Sequence, residues 1–206
     1  HLACRGGASL DIIKYLVEEA DGDKGKELLV KKDDIYGQYP LHFACRGGTP
    51  LAVIKYLVEK VDGDKRKELL VEKNRNGVYP LHLACRGGTS LDVIKYLVEE
   101  ADGEKGKKLL VEKDGGGWYP LHLACRGGTS LDVIKYLVEE ADGDKGKELL
   151  VKKDDIYGQY PLHFACRGGT PLAVIKYLVE KVDGDKRKEL LVEKNRNGVY
   201  PLHLAC

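Results

Sequence analysis

The chain has 206 residues, with 34 Lys and Arg against 33 Asp and Glu and a formal net charge of +1. That balance supplies no basic field for nucleic acid and no acidic field for cationic partners. Mean hydropathy is −0.35, and no apolar run approaches the roughly 18 to 20 residues a membrane helix needs, so membrane insertion is not expected.

Internal repetition organises everything else. Cys4, Cys45, Cys85, Cys125, Cys166 and Cys206 recur at spacings of 41, 40, 40, 41 and 40 residues, each inside His-x-Ala-Cys. The chain reads as one array over residues 1–206. Its modules are 39–78, 79–118, 119–159 and 160–199, with partial modules at 1–38 and 200–206. A longer period of 121 residues lies above these: residues 1–85 and 122–206 differ only at Ala8 against Thr129 and Ile12 against Val133. Copies that alike cannot fill one globular core, since each would demand the same surroundings. A linear stack gives every copy the same two neighbours. The chain opens inside a repeat motif and contains no Met, which points to a window on something longer.

Residues 79–118 serve for the elements of one module. Pro80 suits the first position of a short helix, and Leu81, Ala84 and Cys85 share one of its faces. Gly87 and Gly88 should stop it, one of them left-handed. A second helix is expected to start with Thr89 as N-cap and Asp92 completing a capping pair; Thr49 followed by Pro50 plays that part in the next type. Its apolar stripe is Leu91, Ile94, Leu97, Val98 and Ala101, and an Asp-Gly pair ends it. In the tail, Leu109, Leu110 and Val111 sit among charged residues between Lys105 and Lys113. A trio that apolar should be buried, which predicts a third short helix or helical turn on the edge of the stack. Turn chemistry then leads to the next module. It reads Asp-Gly-Gly-Gly-Trp here, Asn-Arg-Asn-Gly-Val in the second type and Asp-Asp-Ile-Tyr-Gly-Gln in the third.

The string Pro-Leu-His-x-Ala-Cys-Arg-Gly-Gly, then Leu-Asp-Val-Ile-Lys-Tyr-Leu-Val, then Asp-x-x-Gly-x-Tyr-Pro resembles the ankyrin repeat along the whole chain. The resemblance implies an all-α helix-turn-helix solenoid, extended here by the short tail helix. Two features depart from that family. The period is about 40 rather than about 33 residues. Tyr39, Tyr79, Tyr119, Tyr160 and Tyr200 also stand where the family has Thr, so the first helix should lack a hydroxyl cap. The resemblance further implies that His42, His82, His122 and His163 bond backbone between modules, with Cys45, Cys85, Cys125 and Cys166 as small buried residues.

Other chemistry is weak. Each His lies three residues before a Cys on one helix face, which could supply half a zinc site. The structural role carries more weight, and no metal or cofactor is expected. Stacked helices lie roughly 8 to 10 Å apart, too far for bridges between equivalent cysteines. Free thiols favour a reducing compartment. Ser9, Ser90 and Ser130 have no triad partners, and the Asp62–Glu68 stretch lacks the ligand alternation of a calcium loop. Every plausible catalytic residue recurs identically in each module, so no enzyme is expected.

Surface remains. Arg5, Arg46, Arg86, Arg126 and Arg167 should form a ladder at the ends of the first helices, neutralised by nearby Asp or Glu. Ile35, Tyr36, Arg75, Asn76, Trp118, Tyr157 and Arg196 at the turn tips are candidate protein contacts, aromatics and Arg being usual anchors. Two functions follow, the structural array as the leading reading and the binding scaffold as the alternative. Near-identical modules and balanced charge favour a structural array, a rod or filament of stacked modules whose partner is itself. Three distinct tip sequences favour a scaffold that binds another protein through the tips and the first-helix face.

Overall fold

The computed structural model describes residues 1–20, 23–141 and 144–206, leaving the Asp-Gly pairs at 21–22 and 142–143, and the side chains of Leu2 and Arg5, outside the described residues. Among these residues there are sixteen helices and no strand. An inner row comprises α1 (Leu2–Arg5), α4 (Pro40–Arg46), α7 (Pro80–Arg86), α10 (Pro120–Arg126), α13 (Pro161–Arg167) and α16 (Pro201–Ala205). An outer row comprises α2 (Leu10–Glu18), α5 (Leu51–Glu59), α8 (Leu91–Glu99), α11 (Leu131–Glu139) and α14 (Leu172–Glu180). The tails form a third row: α3 (Asp23–Leu29), α6 (Gly63–Val71), α9 (Glu104–Leu109), α12 (Lys145–Leu149) and α15 (Gly184–Val192). Each of α4, α7, α10 and α13 packs on the inner helices before and after it and on the outer helix of its own module. The result is a solenoid of nearest-neighbour contacts.

Burial follows the apolar positions. Leu41, Leu81, Leu121 and Leu162 from the inner row meet Ile54, Ile94, Ile134, Leu57, Leu97 and Leu137 from the outer row, all essentially inaccessible to water. Each such side chain contributes about 1.5–3 kcal/mol of transfer free energy. The stripe of the outer helix also includes Val93 and Tyr96, while Leu91 is only half-buried. The tail trio docks as expected, with Leu109 and Leu110 buried and Val111 half-buried.

The threonines differ from expectation. Ser90 or Pro50, not Thr89 or Thr49, occupies the residue before the outer helix. The Thr89 hydroxyl instead donates to the carbonyl of Ala84 at 3.2 Å, and Thr49 does the same to Ala44 at 3.1 Å. The threonine sits one residue too early to cap forward. It faces back onto the last turn of the inner helix, whose orphan carbonyls need donors. Asp92 is left in the first turn of α8, where the helix dipole favours a negative charge. Gly88 has φ +65°, the left-handed stop the spacing predicts.

The tail helix comes in two forms. At Gly106 a Cβ would lie 1.9 Å from the Val98 carbonyl oxygen. The tail thus presses backbone to backbone against the outer helix. The second module type has Arg66 and Arg187 in the corresponding place and a longer tail helix. There the Arg187 guanidinium donates to the carbonyls of Val182 and Glu180 at 2.8 and 2.9 Å, closing the end of α14 from outside. Gly106→Ala should therefore force α9 outward and lower stability by about 1–3 kcal/mol in urea denaturation. An unchanged midpoint would mean that the close approach is not needed.

Candidate protein-binding surface

Each turn tip is folded by its own first side chain. Asp33 accepts from the N–H groups of Ile35, Tyr36 and Gln38 at 2.9, 2.7 and 2.6 Å. Asp154 repeats this with Ile156, Tyr157 and Gln159. Asn74 accepts from Asn76 and Val78, and Asp114 from Gly116 and Trp118. Burial acts to raise the Asp33 carboxyl, but its three N–H donors hold it below the usual carboxylate range. Burial pushes Asp114 up.

Neighbouring tips are tied together. The Arg75 N–H donates to the Tyr36 carbonyl at 2.9 Å, and Gly115 to Asn76 at 3.0 Å. The Arg75 guanidinium donates to the carbonyls of Asp34 and Ile35, and Arg196 does likewise to Asp155 and Ile156. These two arginines are thus fasteners between tips. Trp118 is half-buried: its ring meets Phe164 edge-on at 5.3 Å and its N–H donates to Asp154 at 3.3 Å. Asn76 is exposed, with its backbone engaged on both sides. Ile35 and Tyr36 remain open, 73% and 50% exposed, as does Tyr157 at 42%. Ile156, 48% exposed, is absent from the sequence-based candidates, although the 121-residue period makes it the copy of Ile35.

The arginine ladder makes no close ion pairs among the described residues, where the sequence expects acids to neutralise it, although the charge of Arg86 acts on Asp114. Among the described residues no carboxylate forms an ion pair with Arg46, Arg86, Arg126 or Arg167. The tip carboxylates are occupied by backbone N–H groups, and other acids pair with cations one module back. Lys32 meets Glu72 at 2.7 Å, Lys113 meets Asp155 at 2.8 Å and Lys153 meets Glu193 at 2.7 Å. Arg126 instead lies over the Trp118 ring, 5.0 Å from its centre. Burial, then the charges of Arg86 and Arg167, lower its pKa.

A family model described as ankyrin repeats in three copies matches residues 1–105, 66–148 and 101–188. The chain belongs to the ankyrin repeat family. Ankyrin repeats serve generally as protein-binding scaffolds without catalytic activity. No curated protein matches the chain. Among the described residues no helix is long and apolar enough to cross a membrane.

As an ankyrin array, the molecule caps its inner helices in its own way. Tyr gives no hydroxyl cap, but the histidine three residues on replaces it. The Tyr79 N–H donates to His82 Nδ1 at 3.3 Å. Since Nδ1 accepts, Nε2 carries the proton and donates to the Glu112 carbonyl at 3.2 Å. His42, His122 and His163 reach Val78, Lys152 and Val199 in the same manner. Within the module boundaries drawn from the sequence, these bonds run to the end of the tail (Glu112, Lys152) or of the turn (Val78, Val199) of the same module, 30 or 36 residues on, rather than across modules as the resemblance implies. The tail returns to the helix that began the module, which brings its carbonyl within reach. Contact with the next module comes from the ring face: His122 meets Phe164 edge-on at 5.2 Å. With both nitrogens engaged, these rings offer no lone pair to a metal. The tyrosine ring gains a second use, lying beneath a lysine: Lys73 sits 4.8 Å from the Tyr79 ring centre.

Cys45, Cys85 and Cys125 are fully buried, Cys166 is half-buried, Cys206 is exposed, and all are free thiols. Burial raises the buried thiols well above their ordinary range, which keeps them unreactive.

Burial also drives His42, His82 and His122 down to about 4 from 6.5. The unfolded chain then binds more protons than the folded one between those values. Stability is complete above pH 6.5 and falls as pH drops through that window, with a slope of about 1.4 kcal/mol per histidine per pH step of one. Urea midpoints should fall steadily between about pH 6.5 and 5, above the ordinary carboxylate range. His82→Gln should flatten the dependence, and a midpoint flat across that window in the parent protein would contradict neutral, buried rings.

Proposed function

We propose that this chain is a protein-binding scaffold whose contact surface comprises the turn tips and the adjacent face of the inner helices. The observation that carries this reading is the contrast within each tip. Its backbone is held by a side-chain cage and, at two tips, by an arginine fastener, while Ile35, Tyr36, Ile156 and Tyr157 point open. Rigid display of apolar and aromatic side chains lowers the ordering cost of association. Among the seven candidate tip residues of the sequence, Ile35, Tyr36 and Tyr157 are the contacts proposed. Arg75, Arg196 and Trp118 hold the surface in shape, and Asn76 helps link the tips.

Selection of a random peptide display library on the folded chain should enrich binders. Their affinity should fall at least about tenfold in the double variant Tyr36→Ser/Tyr157→Ser, with the melting curve unchanged. Binders indifferent to both substitutions would place the surface elsewhere.

Self-stacking into a rod has one observation behind it. Ile12, Tyr15 and Leu16 on α2 are exposed, whereas their counterparts Val93, Tyr96 and Leu97 are buried against the preceding module. At the other end Leu202 is exposed where Leu81 is buried. The family match favours a binding scaffold, which ranks this reading second. Sedimentation velocity should give a single 206-residue species across concentration; growth with concentration would favour the rod, since a head-to-tail contact does not close.

A further inference from the structure

The four arginines of the inner row are the feature that the scaffold reading leaves unexplained. Arg46, Arg86, Arg126 and Arg167 occupy the same position in four successive modules. Elsewhere the array pairs cations with acids one module on: Lys26 with Asp62, Arg66 with Glu100, Lys67 with Asp102 and Lys113 with Asp155. The inner row has no such partner among the described residues. Its members face the tips. Arg126 lies on Trp118 and senses the Tyr157 hydroxyl, and Arg86 senses the Asp114 carboxylate. Arg86 and Arg126 thus reach toward the tips, and the same register places Arg46 and Arg167 at the matching position, so the four edge the face between inner helices and tips, which forms a shallow groove.

We propose that this groove takes an extended acidic segment of a partner protein, with carboxylates about three residues apart meeting successive arginines. The inference rests on the scaffold reading and names the chemistry of its partner. Packed helices lie roughly 8–10 Å apart. An extended peptide rises about 3.3 Å per residue, so every third side chain matches that step. A carboxylate accepts two N–H groups of a guanidinium in one plane, which a row of arginines can offer and a row of lysines cannot. The tip side of the groove argues against nucleic acid: the carboxylates of Asp33, Asp114 and the exposed Asp155 on the tips would repel a continuous line of phosphates. A peptide can place neutral or apolar residues there, against Ile35 and Ile156.

The test uses the folded chain and three synthetic peptides of equal length. One carries Glu at every third position between Ser and Ala. One has the same glutamates contiguous, and one has Gln in their place. Trp118, the single Trp, lies under Arg126 and reports occupancy of the groove by its fluorescence. The spaced peptide should bind about tenfold or more tightly than either control. That advantage should vanish in Arg86→Gln/Arg126→Gln. Should that variant melt early, Arg46→Gln/Arg167→Gln, at two exposed positions, replaces it. Equal affinity for the three peptides, or an unchanged advantage in a folded double variant, overturns the proposal. Tighter binding of a single-stranded RNA of equal charge overturns it in favour of a phosphate ligand. Neutral binders from the display library that still depend on Tyr36 and Tyr157 would remove the acidic partner while leaving the scaffold reading intact.

Discussion

No module of this chain can bury its own apolar surface. Leu81, Ile94 and Leu97 are inaccessible to water because another module covers them, and the same residues of that module are covered in turn. Stability is then a sum over interfaces rather than the property of one core. The short inner helices, of seven residues in the complete modules, would be marginal alone. They persist because both faces are packed and both ends are closed.

The closures are made by a few polar side chains with defined roles. The histidine caps the N-terminus of the inner helix through Nδ1 and ties down the module's tail through Nε2. The threonine closes the C-terminus by returning its hydroxyl to the last turn. One Asp or Asn folds each tip. With the backbone satisfied locally, tip side chains can vary without loss of the fold. That separation is what lets a stack of near-identical units present three different edges. Charge follows a similar division. Lysines of the tail rows pair with acids of the next module at mostly exposed sites, where each pair is worth about 0–1 kcal/mol. Such pairs favour the correct neighbour more than they add stability.

Much of this is legible in the sequence. The six evenly spaced cysteines disclose the array, the helical spacing of Leu81, Ala84 and Cys85 discloses the inner helix, and Leu109 to Val111 disclose the tail helix. Three features are not legible there. Thr89 reads as a forward cap, because hydroxyl residues before a helix normally cap it; only the position of the Ala84 carbonyl reveals the opposite direction. The exchange of Gly106 for Arg66 between module types looks like surface variation. Its meaning lies in an approach of two backbones, which leaves no mark on either segment alone. The arginine ladder is expected to find acids, since the composition is balanced. Balance over a chain says nothing about which side chains meet.

The sequence by itself determined the family, the helix order and the burial of each apolar stripe. These depend on periodicity and on turn residues, which are local. The tertiary structure alone decided which polar groups remain free. It bound Arg75 and Arg196 to backbone carbonyls, half-buried Trp118, left Tyr36 and Tyr157 open, and gave Arg46, Arg86, Arg126 and Arg167 no ion pair among the described residues. Whether a side chain is a fastener or a contact depends on atoms about 40 residues away in the next module, and no local pattern carries that distance.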